Sequence, residues 1–330
     1  MQRRKLLKLA GLACLPASLR AVSASSNESL KTGLVLDDRF VDYQITPDHP
    51  ESPARYRQVA HTLNALHRAN KVTSIAATPA KVRWLSTIHS IEHQASIKRH
   101  APEAYATARL AAGGVLNCVD AVMQEKVKNA FCASRPPGHH ATNTGREEGF
   151  CYFNHVAIAA RYAQQQYGLE RILIVDWDYH HGNGTEWAFY DDPSVLFFST
   201  HDRDAYPRTG LPERTGHGAG EGFNINVHLP CGSGDAAMLA AFKEKLLPAA
   251  NAFSPQLVLI SAGFDSRVDD LLGCHEITDD GFKALTKMVM QIAARHCQGR
   301  LVSVLEGGYH IPGLVRASQA HITALSSLSG

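Results

Sequence analysis

Several short runs in this 330-residue chain carry side chains able to do chemistry. The run Asp176-Trp177-Asp178-Tyr179-His180-His181 sets carboxylates beside imidazoles. Residues two apart on an extended segment share a face, so Asp178 and His180 point the same way. A carboxylate oxygen and an imidazole nitrogen at that spacing can share one metal ion. Asp265, in Ala262-Gly263-Phe264-Asp265, supplies a third ligand. Two aspartates and one histidine with an open position suit a catalytic zinc. Carboxylate-rich ligation also admits iron or another divalent ion. Asp-x-His by itself more often caps a helix or satisfies a loop, so the metal reading depends on convergence of the other runs.

His139 and His140 follow Arg135-Pro136-Pro137-Gly138. The prolines fix φ and the glycine permits a tight bend, so the imidazole pair is delivered rigidly. Adjacent imidazoles suit general acid–base work near neutral pH. Each needs an orienting partner; Asp176 can hold one and Asn183 the other. A carboxylate raises imidazole basicity more than an amide does, so unequal roles are expected. Tyr309 follows Gly307-Gly308, where the backbone can approach a pocket closely. Its hydroxyl can donate to a developing oxyanion. Gly-Gly-Tyr alone is a weak signal, since a core tyrosine beside a turn is commoner.

These runs need elements to position them. Short apolar segments at Val82–Leu85, Ala130–Ala133, Ile172–Val175, Val195–Phe198, Phe223–Val227, Leu257–Ile260 and Leu301–Leu305 read as strands. Several are continuous rather than alternating, the mark of strands buried on both faces. Helical patterns fill 53–69, 103–125, 153–167, 236–252 and 279–297. The expected fold is α/β, three layers deep, with a central and mostly parallel sheet. Four of the strands run straight into loaded loops: RPPGHH, DWDYHHGNGT, AGFDSR and EGGYH. Sites in open α/β sheets form beyond the carboxyl ends of the strands, so the four loops are expected to share one pocket.

Composition narrows the class. With 45% hydrophobic and 19% charged residues, the chain can fill a sizeable core. No apolar run reaches the ~18 residues of a transmembrane span. Residues 1–24 read as an export signal of twin-arginine type: Arg3-Arg4, a short apolar stretch, then Val22-Ser23-Ala24. That makes the protein periplasmic or exported; the rival is a basic amphipathic helix on a cytoplasmic protein. Residues 25–32 read as a flexible lead-in and 33–330 as one catalytic domain. Five of the 33 basic residues lie in the signal, leaving 28 against 31 acids, or −3. No basic stripe remains for direct nucleic-acid binding. The six cysteines after the signal form no C-x-x-C pair, so neither a zinc ribbon nor a redox motif is present.

The strings RPPGHHA, GFCYFNHVAIAA, RILIVDWDYHHGNGT, DDPSVLFFSTH, LVLISAGFD, DDLLGCHEIT and LEGGY resemble the histone deacetylase family. The likeness is to its class II-like branch and bacterial amidohydrolase relatives. The strings stand in the family's order and span nearly the whole chain after the signal. The resemblance implies an arginase/deacetylase fold with about eight strands. It implies Zn2+ on Asp178, His180 and Asp265, with His139 and His140 activating water and protonating the leaving amine. Asp176 and Asn183 match their partners, and Tyr309 matches the tyrosine that holds the tetrahedral intermediate. Gly149 and Phe150 match one wall of the substrate tunnel, and Tyr206 the other, where phenylalanine is usual. Leu272 matches a gate position that polyamine-selective relatives fill with glutamate. The resemblance also implies structural K+, one ion near Asp176, Asp178, His180, Ser199 and Thr200. A second would sit near Phe189, Asp192, Val195 and Phe223. Two departures concern the rim: Arg208 stands where glycine is common, and Thr142–Glu148 is unusually charged. Glu103 is one candidate for the rim acid that grips the substrate backbone.

The expected reaction is metal-assisted hydrolysis of N-ε-acetyl-lysine in a peptide or protein, releasing acetate. Acetylpolyamines or other small acylated amines are the alternative substrates. A rival of another class is a catalytically silent module that binds acylated ligands, against which the intact His pair and Tyr309 argue.

Overall fold

The structure, a computed structural model, describes residues 30–327. The signal reading and most of the lead-in therefore lie outside the described residues. Eight strands form one sheet: β1 Thr32–Val35, β2 Val72–Ile75, β3 Ala130–Cys132, β4 Ile172–Asp176, β5 Val195–His201, β6 Asn224–His228, β7 Leu257–Ala262 and β8 Leu301–Leu305. Their order is β2-β1-β3-β8-β7-β4-β5-β6, and every pairing is parallel.

The helices are α1 Pro53–Arg68, α2 Val82–Leu85, α3 Ile91–His100, α4 Pro102–Met123, α5 His155–Tyr167, α6 Asn183–Phe189, α7 Asp235–Ala241, α8 Leu247–Phe253, α9 Asp279–His296 and α10 Ile311–Ser326. The central strands are apolar on both sides because the sheet is covered on both. Ile172 and Ile174 of β4 join the core packed by α4 and α5. Leu173 and Val175, one residue out of phase, join the core packed by α9 and α10. The period-2 alternation of a strand thus feeds two cores at once. Emptying one such position, as in Ile174→Ala, costs ~2–5 kcal/mol.

Three sequence expectations change. Val82–Leu85 is a single helical turn, not a strand. Leu85 is buried, Val82 is exposed, and the Trp84 ring packs edge-on to Tyr162 at 4.7 Å. Four residues carry too little pattern to tell a helical turn from a strand. The sheet takes β1 and β2 instead, two short strands at one end of it that the pattern missed. Thr32, assigned to the lead-in, opens β1. The helix expected over 236–252 is interrupted by a π turn at Phe242–Leu246. Pro248 has no N–H to donate back along an α register, and the wider turn absorbs that break.

The four loaded loops leave β3, β8, β7 and β4, which are adjacent in that order. Their ends are level: Cys132 pairs with Val304, Val304 with Ser261, and Ser261 with Asp176. Level parallel ends deliver all four loops to one place.

Candidate active site

Asp178, His180 and Asp265 meet just past the ends of β4 and β7, with one ligand atom from each within 4.8 Å of the others. Asp178 and Asp265 are fully buried. His180 Nδ1 lies 3.1 Å from Asp178 Oδ1 and 3.0 Å from Asp265 Oδ2. Backbone N–H groups fix the outer oxygens: Gly307 donates to Asp178 Oδ2 (2.9 Å) and Tyr179 to Asp265 Oδ1 (2.8 Å). A side chain at Gly307 would collide with both carboxylates, so the backbone of the Gly-Gly-Tyr loop closes the pocket itself.

The electrostatics of this trio favour a cation. Burial and the neighbouring Asp178 push Asp265 up to about 7. Burial works against a charge on His180, but its bonds to Asp178 and Asp265 outweigh that and raise it to about 10. A proton held between two buried carboxylates marks a place where positive charge is stabilised. One imidazole nitrogen and two carboxylates also form a donor set that zinc accepts. The residues therefore fit the ion that the sequence implied.

The histidine pair sits beside it with the expected partners. His139 Nδ1 is 2.9 Å from Asp176 Oδ2, and His140 Nδ1 is 2.7 Å from Asn183 Oδ1. The rings lie 4.0 Å apart. Burial would lower His139, but Asp178, Asp176 and the bond to Asp176 raise it well above the usual imidazole value. Burial and two imidazole neighbours, His139 and His180, push His140 well below it. One buried pair thus holds one proton-rich and one proton-poor ring. Burial also pushes the Tyr309 phenol well up, keeping it a protonated donor.

Sequence reasoning passed over the supports beneath these groups. Glu306, one residue past β8, accepts the Gly138 N–H (2.6 Å) and the His139 N–H (3.2 Å). Arg135 is buried and forks onto Glu51 at 2.8 and 2.6 Å. Glu51 also meets Arg55 at 3.2 Å, four residues on. Arg55 donates to the Glu306 and Gly308 carbonyls, both at 2.6 Å, and its guanidinium lies 4.7 Å from the Tyr309 ring centroid. The Glu51–Arg55 spacing was the available signal. Asp270 accepts N–H bonds from Leu272 (3.0 Å), Tyr309 (2.7 Å) and His310 (3.0 Å), tying the gate loop to the tyrosine loop.

A cavity of about 840 Å³ opens over the site. His140, His180 and Tyr309 line it, as do Gly149, Phe150, Tyr206 and Leu272. Phe150 packs edge-on to Tyr309 (5.8 Å) and Tyr206 edge-on to His140 (5.0 Å). Gly149 and Phe150 both have positive φ, +53° and +69°, and a side chain at Gly149 would strike the His140 ring. At the rim the charged segment Thr142–Glu148 contributes as expected, while Arg208 and Glu103 do not. Arg208 is exposed and lines no part of this cavity; Arg146, Glu147 and Glu148 do. Glu103 is exposed in the first turn of α4 and is also absent from the lining.

The residues named for potassium are less distinctive. Thr200 Oγ1 is buried without a hydrogen-bond partner, while Ser199 Oγ meets His201 Nδ1 at 2.8 Å. The carbonyls of Phe189, Asp192 and Phe223 accept backbone N–H groups from Asp192, Val195 and Phe197. The Asp192 carboxylate is held by Arg161 and Ser194. Asp202, Asp204 and His228 also cluster, but His228 Nδ1 accepts the Arg203 N–H at 3.2 Å. Cys231 and Cys274 form a disulfide, and the thiols of Cys118, Cys132, Cys151 and Cys297 are buried. Among the described residues, no helix is long and apolar enough to cross a membrane.

Comparison with known proteins agrees with this geometry. The family model for the histone deacetylase domain matches residues 49–325. A probable deacetylase of Archaeoglobus fulgidus is 35% identical over 89% of this chain and 85% of its own. The polyamine deacetylase of Mus musculus is 45% identical over 87% of this chain and 47% of its own. The crystal structure of an HDA15 HD domain superposes with a TM-score of 0.84 at 34% identity, covering 90% of each chain.

Proposed function

The chain belongs to the histone deacetylase family, and from that premise we propose that it is a zinc-dependent deacetylase of N-ε-acetyl-lysine side chains. The observation that carries the reading is the joint placement of Asp178, His180 and Asp265 beside two unlike histidines and a protonated tyrosine.

A zinc ion held by Asp178, His180 and Asp265 would polarise the acetyl carbonyl and acidify a water. The chain's own groups do the rest. Phe150 and Tyr206 take the aliphatic stem of the substrate and exclude bulk water from the reacting amide. His140, kept neutral, accepts the water proton and passes it to the departing ε-amine as the C–N bond breaks. His139, paired with Asp176, lies beside the reacting centre and stabilises the negative charge that builds during attack. Tyr309 donates its hydroxyl to the oxyanion. Glu306 and Arg55 hold the backbone of the two loops that carry these groups, so little reorganisation accompanies the reaction.

Two further parts belong to this reading. Export through residues 1–24 would bring the enzyme to acylated substrates outside the cytoplasm. A potassium ion beside Ser199 and Thr200 is supported by the unpartnered Thr200 hydroxyl.

Acetylpolyamine is the second reading, favoured by the 45% identity to a protein named for that activity. Leu272 at the rim speaks for the peptide, since it offers a substrate ammonium no charge. Acetate release by the zinc-loaded protein from an acetyl-lysine peptide and from an acetylated polyamine separates the two. Faster release from the peptide is expected; a preference for the polyamine overturns the lysine assignment.

A further inference from the structure

We infer that a buried two-histidine clamp positions the Tyr206 wall of the tunnel, with Thr209 as its contact and His181, His201 and Glu186 as positioning residues. The inference deepens the deacetylase reading and rests on it for its kinetic part.

Tyr206 lies on the segment between Asp202 and Gly210, which carries no regular secondary structure. Its side chain is 48% exposed, so local packing alone does not fix where the ring stands. The segment is tied down at both ends. At the start, the Asp202 N–H donates to the Tyr179 carbonyl at 3.1 Å. At the far end, two buried imidazoles grip consecutive residues. His181 Nδ1 meets Thr209 Oγ1 at 2.7 Å, and His201 Nε2 meets the Gly210 carbonyl at 2.8 Å. The two rings lie 4.5 Å apart. Gly210 has φ +78°, and a side chain there would strike His201, so the backbone must sit directly on the ring.

The clamp is itself anchored. His181 Nε2 faces Glu186 Oε2 at 3.4 Å. Glu186 is buried and takes Arg214 (2.7 Å), Asn224 (3.0 Å) and Asn226 (2.7 Å) on its two oxygens. With a carboxylate facing Nε2, the proton of His181 belongs there, leaving Nδ1 to accept the Thr209 hydroxyl proton. His201 follows the same logic in reverse. Its Nε2–H donates to Gly210, and its Nδ1 accepts from Ser199 Oγ at 2.8 Å.

A hydroxyl, an imidazole and a carboxylate thus follow one another, although His181 Nε2 makes no hydrogen bond and meets Glu186 only as a close charge; Thr209 is not placed as a nucleophile, since it does not line the cavity. The consequence is mechanical. Glu186 and Asn183 stand one turn apart on α6. Asn183 orients His140 in the floor, and Glu186, through His181, orients the wall. One short helix therefore sets the distance between the reacting centre and the aromatic that guides the substrate to it.

Two measurements test the clamp in the zinc-loaded full chain. The first is amide hydrogen exchange across 203–210, which needs no turnover. Thr209→Val removes the hydroxyl at nearly constant volume and is expected to speed exchange there, with Thr209→Ser restoring it. Unchanged exchange in Thr209→Val overturns the clamp. The second is a double-mutant cycle on the acetyl-lysine peptide. Thr209→Val is expected to raise KM roughly 3- to 10-fold, the worth of one hydrogen bond, with kcat within about twofold. In a Tyr206→Ala background the same change should leave KM unmoved. Equal KM effects in both backgrounds would mean that Thr209 acts elsewhere than through Tyr206. A faster exchange with no KM change would remove the wall's role in substrate binding while leaving the clamp. An inactive wild-type protein would refute the deacetylase reading, and the exchange result would still decide the clamp.

Discussion

At the floor of the cavity, His139, His140, Asp178 and Asp265 are buried, and each is held by a hydrogen bond. At the mouth, Tyr206 and Leu272 are 48% and 39% exposed, and Arg146 and Glu147 are exposed as well. The floor is supported by buried polar groups: the Glu306 carboxyl beneath Gly138 and His139, and the Arg55 guanidinium beneath Gly308. The mouth residues themselves are held through their loop backbones, Leu272 by its N–H on Asp270 and Tyr206 through the clamp on Thr209 and Gly210. Buried, multiply bonded groups lose function steeply when one partner is removed, because the rest are left unpaired. Exposed groups with single contacts tune affinity in smaller steps. The floor therefore fixes the chemistry and the mouth adjusts what reaches it.

The sharpest break between the two regions is kinetic. His140→Ala should lower kcat by about 10²–10⁴-fold and Tyr309→Phe by about 10²–10³-fold. Metal content should stay at the wild-type level in both, since neither side chain belongs to the ligand trio. Single-turnover assays alongside metal analysis check this. Rates near wild type in either variant would remove that residue from the mechanism.

A change at the mouth should do something different. Leu272→Glu puts a carboxylate beside Tyr179, Tyr206 and His180 in the lining. It should favour an acetylated polyamine over the acetyl-lysine peptide by about two- to fivefold in relative kcat/KM, the worth of one partly exposed charge pair. The peptide kcat should change little. A large fall in kcat for both substrates would mean that the gate and the floor are not separable.

The framework beneath both regions responds to pH. His89, His155, His201 and His321 are buried, and burial lowers each to about 3. In the unfolded chain an imidazole titrates near ~6.5. Below that pH the unfolded state binds more protons than the folded state, so stability falls as pH drops from about 6.5 toward about 3. Above about 6.5 these groups contribute no slope. Urea midpoints should be clearly lower at pH 5 than at pH 7. A midpoint at pH 5 equal to that at pH 7 would contradict the burial of these rings.

The same division explains what could be read before any coordinates. The floor was legible because strand ends announce themselves. Continuous apolar runs such as Ile172–Val175 stop at an acid, and geometry then brings Asp176, Asp178, Asp265 and Tyr309 together. The parallel sheet followed from the same runs. The edge strand β2 escaped notice because Thr73 and Ser74 are exposed polar residues inside a run of four. Val82–Leu85 misled because so short an apolar run cannot tell a helical turn from a strand; only Leu85 of it is buried. Beyond the four-residue spacing of Glu51 and Arg55, this support left no pattern: only the fold brings Arg135 onto Glu51, and the Glu306 carboxyl onto the Gly138 and His139 N–H groups. The mouth was least legible. The sequence marked Arg208, Glu103 and the charged segment Thr142–Glu148 at the rim; loop geometry puts Arg146, Glu147 and Glu148 of that segment in the lining and leaves Arg208 and Glu103 out of it. Loops without a repeating contact leave no pattern from which to infer direction.

The central claim is that Asp178, His180 and Asp265 hold an ion on which amide hydrolysis depends. Its most direct test strips the protein with a chelator, titrates zinc back, and follows acetate release from the acetyl-lysine peptide. Wild-type protein should lose turnover on stripping and regain it with one equivalent of zinc, while Asp265→Asn should regain little. Full turnover by the stripped wild-type protein would contradict the account.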